Sequence, residues 1–122
     1  MQNVYLVEDS PEVLHRLAKL LTPVPGAQIV GHARTAGDAV SGILSTRPDV
    51  VVLDLSLAQS SGFDVLSTVH RAAPGIDFIV LSNFTSEPYR RQAMRLGAKD
   101  FFDKTNEFER VRDVIAARAT LQ

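Results

Sequence analysis

The sequence predicts an α/β domain in which a five-stranded parallel sheet lies between two layers of helices. Three observations predict it. Short apolar runs alternate with helical stripes along the whole chain. Three of the runs, Val4–Val7, Val50–Leu53 and Phe78–Leu81, are apolar throughout, as strands covered on both faces must be. Each change of rhythm falls at proline, glycine or a helix-capping residue.

The elements follow in order. Val4–Val7 is the first strand and ends at Glu8-Asp9; Ser10-Pro11 then supplies an N-cap and a first-turn proline. Leu14, Leu17, Ala18 and Leu21 form the stripe of a helix packed on a sheet, stopped by "TPVPGA". Residues 28–33, QIVGHA, make a more polar second strand, and Ala36, Ala39, Val40, Ile43 and Leu44 a second helix. The third strand, Val50–Leu53, precedes a helix lined by Phe63, Leu66, Val69 and Ala73. Pro74-Gly75 turns into the fourth strand, and Tyr89, Ala93 and Leu96 mark a helix closed by Gly97. Asp100–Asp103 is a short fifth strand, and Asn106 with Glu109 has the spacing of a reciprocal cap that opens the last helix through Val111, Val114 and Ile115. Runs two and five are the weakest, as edge strands should be, which gives strand order 2-1-3-4-5, a flavodoxin-like (βα)5 three-layer sandwich. With no linker, repeat or low-complexity tract, one domain is expected over residues 1–122.

Composition narrows the function. A formal net charge of −1 leaves no electrostatic footprint for nucleic acid, so no direct nucleic-acid binding is expected. Arg90, Arg91, Arg95 and Lys99 cluster on one stretch, read first as a solvated helix face and second as a partner surface. The chain has no cysteine, which removes disulfides, thiolate nucleophiles and thiolate metal sites. No apolar segment is long enough to span a bilayer, and "MQNVYLVEDSPE" has no basic leader, so the expectation is a cytoplasmic protein away from membranes. His15, His32 and His70 lack metal-ligand spacing, and Gly26, Gly31 and Gly37 build no phosphate-cradling loop.

Parallel strands finish at one rim, and the order reverses between strands one and three, where such sheets bind ligands. Glu8-Asp9 ends strand one, Asp54 follows strand three, Ser82 ends strand four and Lys104 follows strand five. Two carboxylates about 4 Å apart repel by roughly 4 kcal/mol at an effective dielectric near 20, so either one takes a proton or a cation is bound. Carboxylate oxygens without His or Cys suit Mg²⁺ rather than zinc. A cation, a lysine and a hydroxyl around Asp54 make an anion trap with a carboxylate nucleophile at its centre, equipped to accept a phosphoryl group. Taken singly, each residue has a plainer reading: acids favouring a helix start, a surface lysine, a hydroxyl capping a loop, phenylalanines packing an edge. The joint arrangement at successive strand ends reverses those odds.

On these residues, and on the stretch "GAKDFFDK", the chain resembles the receiver domain of bacterial two-component response regulators over essentially its whole length. The resemblance implies that Asp54 is the phosphoacceptor, served by a histidine kinase or a histidine phosphotransfer protein. It implies Mg²⁺ ligation by Asp9, Asp54 and the backbone carbonyl of Ser56, with Glu8 acting through water. It implies that Lys104 contacts the phosphoryl group, that Ser82 moves to hydrogen-bond it, and that Phe101 is the aromatic switch. The readout surface implied is the fourth helix, fifth strand and fifth helix, which would meet a partner, a fused or separate output domain or a second copy in a homodimer; no output domain is expected within these residues. Arg90, Arg91 and Lys99 lie on or near that surface.

Departures from the family pattern are specific. Ala58 stands where proline is common, so the loop 58–61 is expected to be more mobile, while Gly62 matches the family glycine. Phe101 lacks a tyrosine hydroxyl and must switch by packing alone, and Phe84 places a large ring near the site. Two other functions compete. An aspartate-nucleophile phosphohydrolase would carry a second aspartate two residues after the first, where this chain has Ser56, so turnover of exogenous substrates is not expected. A phosphate-independent pseudo-receiver would usually have lost an acid or the lysine, and this chain keeps both.

Overall fold

The computed structural model describes residues 1–57 and 60–121. Five strands, β1 (Gln2–Val7), β2 (Ala27–Ala33), β3 (Val50–Leu53), β4 (Asp77–Ser82) and β5 (Asp100–Asp103), form one parallel sheet in the order β2-β1-β3-β4-β5. This is the predicted flavodoxin-like order. The helices are α1 (Pro11–Leu21), α2 (Ala36–Thr46), α3 (Gly62–Ala72), α4 (Glu87–Arg95) and α5 (Arg110–Thr120).

Alternation along the strands divides the apolar side chains between two layers. Tyr5, Val7, Val51, Leu53, Phe78, Val80 and Phe101 point to the layer of α2, α3 and α4, and pack with Ile43, Leu66, Val69 and Ala93. Val4, Leu6, Val50, Val52, Ile79, Leu81 and Phe102 point the other way, to Leu17 and Leu21 of α1 and Val111 and Ile115 of α5. Every residue of β3 is buried, which is why its sequence reads as an unbroken apolar run. Among the described residues, no helix is long and apolar enough to cross a membrane.

Helix starts obey the capping chemistry in most cases. Ser10 Oγ accepts the Val13 N–H at 3.3 Å ahead of Pro11, and Thr35 and Ser61 cap α2 and α3 in the same manner. Three expectations need correction. β1 begins at Gln2, because this polar residue is sealed in by a backbone bond to Gly26 and a side-chain bond from Arg118. α5 begins at Arg110, and Glu109 makes no side-chain cap; the Asn106 amide is drawn instead to Asp103 Oδ2 at 3.1 Å. In α4, Tyr89 is exposed and Ala93 is the buried residue, so the helix faces the sheet with less apolar surface than its stripe promised.

Ser56–Leu57 and Ser60–Ser61 form a short antiparallel ladder between β3 and α3. Ala58 and Gln59, on which the expected mobility of this loop rested, lie outside the described residues. Gly62 follows the ladder because nothing larger fits: a Cβ there would collide with the Asp54 carbonyl oxygen and Leu55 Cα.

Candidate functional site

The sheet's ladders run one residue past the strand ends and so fix the rim. Asp54 N–H donates to the Val7 carbonyl at 2.9 Å, Glu8 N–H to Ala33 at 3.0 Å and Lys104 N–H to Ser82 at 2.9 Å. Asp54, Glu8 and Lys104 are therefore each pinned by backbone to the strand beside them. The rim opens on a pocket of about 350 Å³ lined by Glu8, Asp9, Ser10, Val13, Asp54, Ser56, Asn83, Phe84 and Lys104.

Carboxylate oxygens of Glu8, Asp9 and Asp54 lie within 4.8 Å of one another. Between two of them sits the Lys104 ammonium, 2.9 Å from Glu8 Oε2 and 3.2 Å from Asp54 Oδ2. Glu8 is 1% exposed and Asp54 4%. Burial pushes the Glu8 carboxyl up to about 7; the Lys104 hydrogen bond opposes this and the Asp54 charge adds to it. Asp54 is likewise raised by burial, against the pull of Lys104 and of the Ser56 N–H that donates to Oδ1 at 3.2 Å. Burial works against the Lys104 charge, but the bond to Glu8 and the charge of Asp54 outweigh it and hold the ammonium above its ordinary range.

A donor set of three clustered carboxylate oxygens, two of them held reluctant to ionise by burial and mutual repulsion, fits a hard divalent cation such as Mg²⁺. Nothing in the set favours a softer ion.

The structure brings Glu8, Asp9, Asp54, Ser56 and Lys104 together as the sequence predicted. Glu8 bonds the lysine directly, a contact not foreseen. Ser82 stands apart from the lining: it is 0% exposed, and its hydroxyl accepts the Phe84 N–H at 2.9 Å. Phe101 is buried, with the Arg90 guanidinium 4.5 Å from its ring centre and Arg90 Nη1 donating to its carbonyl at 3.1 Å. Phe84 does line the pocket and leans on Tyr89, ring centres 5.4 Å apart. Among the described residues, Arg91 and Arg95 engage only their own helix, through Glu87 and Gln92.

Sequence reasoning missed Ser10, Val13 and Asn83, although the rim argument that found Asp54 and Ser82 extends to the residues beside them. It also assigned nothing to the end of β2, yet Arg34 donates from there to the Asp9 carbonyl at 3.0 Å. No sequence signal marks that contact, since it depends on how the loop after β2 turns toward β1.

Solved structures share this architecture. The response regulator domain of CheB from Thermotoga maritima superposes with a TM-score of 0.87 at 25% identity, covering 99% of this chain and 95% of that one. CheY in the CheX-CheY-BeF3-Mg²⁺ complex from Borrelia burgdorferi aligns with a TM-score of 0.82 at 25% identity, over 93% and 89% of the two chains. Fold and rim thus define a CheY-like α/β signalling domain. The family model for the response regulator receiver domain matches residues 4–116, and the chain belongs to that family. It is 31% identical, over 99% of its length, to the DNA-binding transcriptional activator DevR/DosR of Mycobacterium tuberculosis. The chain spans 58%, 28% and 23% of the length of three curated relatives it matches, DevR/DosR being the first.

Proposed function

We propose that this chain is a phosphorelay receiver that accepts a phosphoryl group on Asp54, in a Mg²⁺-dependent reaction, from a histidine kinase or histidine phosphotransfer protein in the cytoplasm. The observation that carries the reading is the Lys104 ammonium held between Glu8 and Asp54 in a pocket that Asp9 shares. Likeness to the Borrelia CheY, whose complex includes BeF3 and Mg²⁺, supports it.

In this reading an Asp54 carboxylate oxygen attacks phosphorus. A new P–O bond forms as the bond from phosphorus to the donor breaks, and the donor leaves with that electron pair. Asp9, Asp54 and the Ser56 carbonyl would hold the Mg²⁺, Glu8 acting through water, and the ion when bound neutralises charge on the transferring oxygens. Lys104 shifts its ammonium from the bare carboxylate to the phosphoryl oxygens. Ser82 accepts the Phe84 N–H and keeps its own proton to donate, so from its buried place it would swing toward the same group, which draws the end of β4 toward Asp54. The α4-β5-α5 face, with Phe101 buried beneath Arg90, then changes and is read by a partner, an output domain or a second copy. DevR/DosR is a DNA-binding transcriptional activator, which makes DNA-binding regulation one output compatible with this switch.

The test is incubation with acetyl phosphate and Mg²⁺, followed by intact-mass measurement. A single acid-stable, base-labile phosphoryl adduct is expected, absent in Asp54→Ala and weakened without Mg²⁺. Turnover of unrelated phosphate esters would replace this reading with a hydrolase, and no adduct on folded protein would replace it with a phosphate-independent interaction module.

A further inference from the structure

Behind Lys104 lies a turn whose hydrogen bonds the pocket chemistry does not use. Asp103 Oδ1 accepts the Thr105 N–H at 2.8 Å and the Asn106 N–H at 3.3 Å, and Oδ2 accepts the Asn106 side-chain amide at 3.1 Å. Glu107 answers in the other direction. Its Oε1 accepts the Asp103 N–H at 2.9 Å, its own N–H donates to the Asp103 carbonyl at 2.8 Å, and Oε2 pairs with Arg110 at 2.7 Å. Lys104 is the first residue inside this reciprocal box. Its backbone is fixed to Ser82 on one side and to the closed turn on the other.

We infer that Asp103 is a positioning residue for the phosphoryl pocket: the turn it closes holds the Lys104 ammonium between Glu8 and Asp54. A lysine stem has four rotatable bonds, so its tip stays on target only if its root is fixed. Two backbone N–H groups converge on Asp103 Oδ1, and this pair of bonds closes the turn. The box also runs through Glu107 to Arg110, the first residue of α5, and so joins the lysine's root to that helix. This inference rests on the reading of Asp54 as phosphoacceptor and names what aims the lysine at it.

The chemistry of the turn supplies the control. Asparagine presents the same acceptor oxygen to the Thr105 and Asn106 N–H groups and closes the same turn, whereas alanine cannot. Beryllofluoride would be titrated with Mg²⁺ into wild type, Asp103→Asn and Asp103→Ala, followed by ¹⁹F NMR, with thermal midpoints recorded on each. Asp103→Ala is expected to weaken binding of the order of tenfold, as small misplacements of an aiming group do, while Asp103→Asn stays near wild type. In a Lys104→Met background, Asp103→Ala should add no further loss, because the residue acts through the lysine. Full binding by Asp103→Ala, or the same loss with and without Lys104, overturns the inference. A wild type that binds no beryllofluoride overturns the phosphoryl reading instead. The aiming is then decided on ligand-free protein: a slowed, hydrogen-bonded Lys104 ammonium signal in ¹⁵N NMR should persist in Asp103→Asn and vanish in Asp103→Ala, and its persistence in alanine refutes the role.

Discussion

At Glu8, burial and ionisation pull against each other. Its carboxyl titrates near 7 in the fold against an ordinary 4.5, so the folded protein holds that proton more tightly than the unfolded chain does. Its contribution to stability is present below 4.5 and is lost as pH rises toward about 7. Without Mg²⁺, the thermal midpoint of wild type should therefore fall across that window, while Glu8→Gln, which has no proton to lose there, should show a flatter profile. Equal slopes for the two proteins would show that Glu8 does not govern this pH response. Asp103 and Glu107 behave oppositely. The Thr105 N–H and the Asp103 N–H respectively hold their carboxyls below the ordinary range, so their contributions fade only in acid. At this scale the sequence was readable for residue type and place on the rim. It was blind to partner choice: Glu8 bonds lysine, Ser82 bonds Phe84 N–H, and Asn106 serves Asp103 rather than a helix start, each set by loop geometry a few ångströms wide.

Among the elements, α4 is held least firmly by apolar contact. It buries Ala93, exposes Tyr89 and Met94, and starts at Ser86 without a side-chain cap. What it adds is Arg90, which grips β5 through the Phe101 carbonyl and ring. Gly97, at φ 114°, then ends the helix against the His70 ring, a close approach that no other residue could make without strain. With so little apolar anchorage, one cation–π contact and one charged hydrogen bond carry an unusual share of the helix's attachment. Arg90→Ala is expected to raise amide hydrogen exchange in α4 and leave α1 and α3 unchanged; a uniform rise would mean global destabilisation instead. The element boundaries show why α4 was misjudged. Apolar spacing placed Tyr89, Ala93 and Leu96 on one face, but spacing does not report how far a helix stands from the sheet. The strands were legible because Val4–Val7 of β1, all of β3 and Phe78–Leu81 of β4 are covered on both faces and must be apolar, a demand that few other structures make.

Across the whole molecule, the two ends of the sheet have different tasks. At the end away from the pocket, Arg118 donates to Asp77 Oδ2 at 2.8 Å, Gln2 Oε1 at 2.9 Å and the Asp49 carbonyl at 3.5 Å, tying the last turn of α5 to the starts of β1, β4 and the β3 lead-in. Arg118→Ala should cost about 1–3 kcal/mol of stability by denaturant unfolding while leaving beryllofluoride affinity intact. A change in that affinity would mean that the two ends communicate. At the pocket end, three carboxylates face one ammonium, and when all are ionised the surplus is two negative charges, which one divalent cation cancels. On the proposed reading, an empty pocket would turn a phosphate dianion away and one holding a divalent cation would admit it. Charge balance would then act as an interlock on the sequence of events, metal before phosphate, with no moving part needed to enforce it.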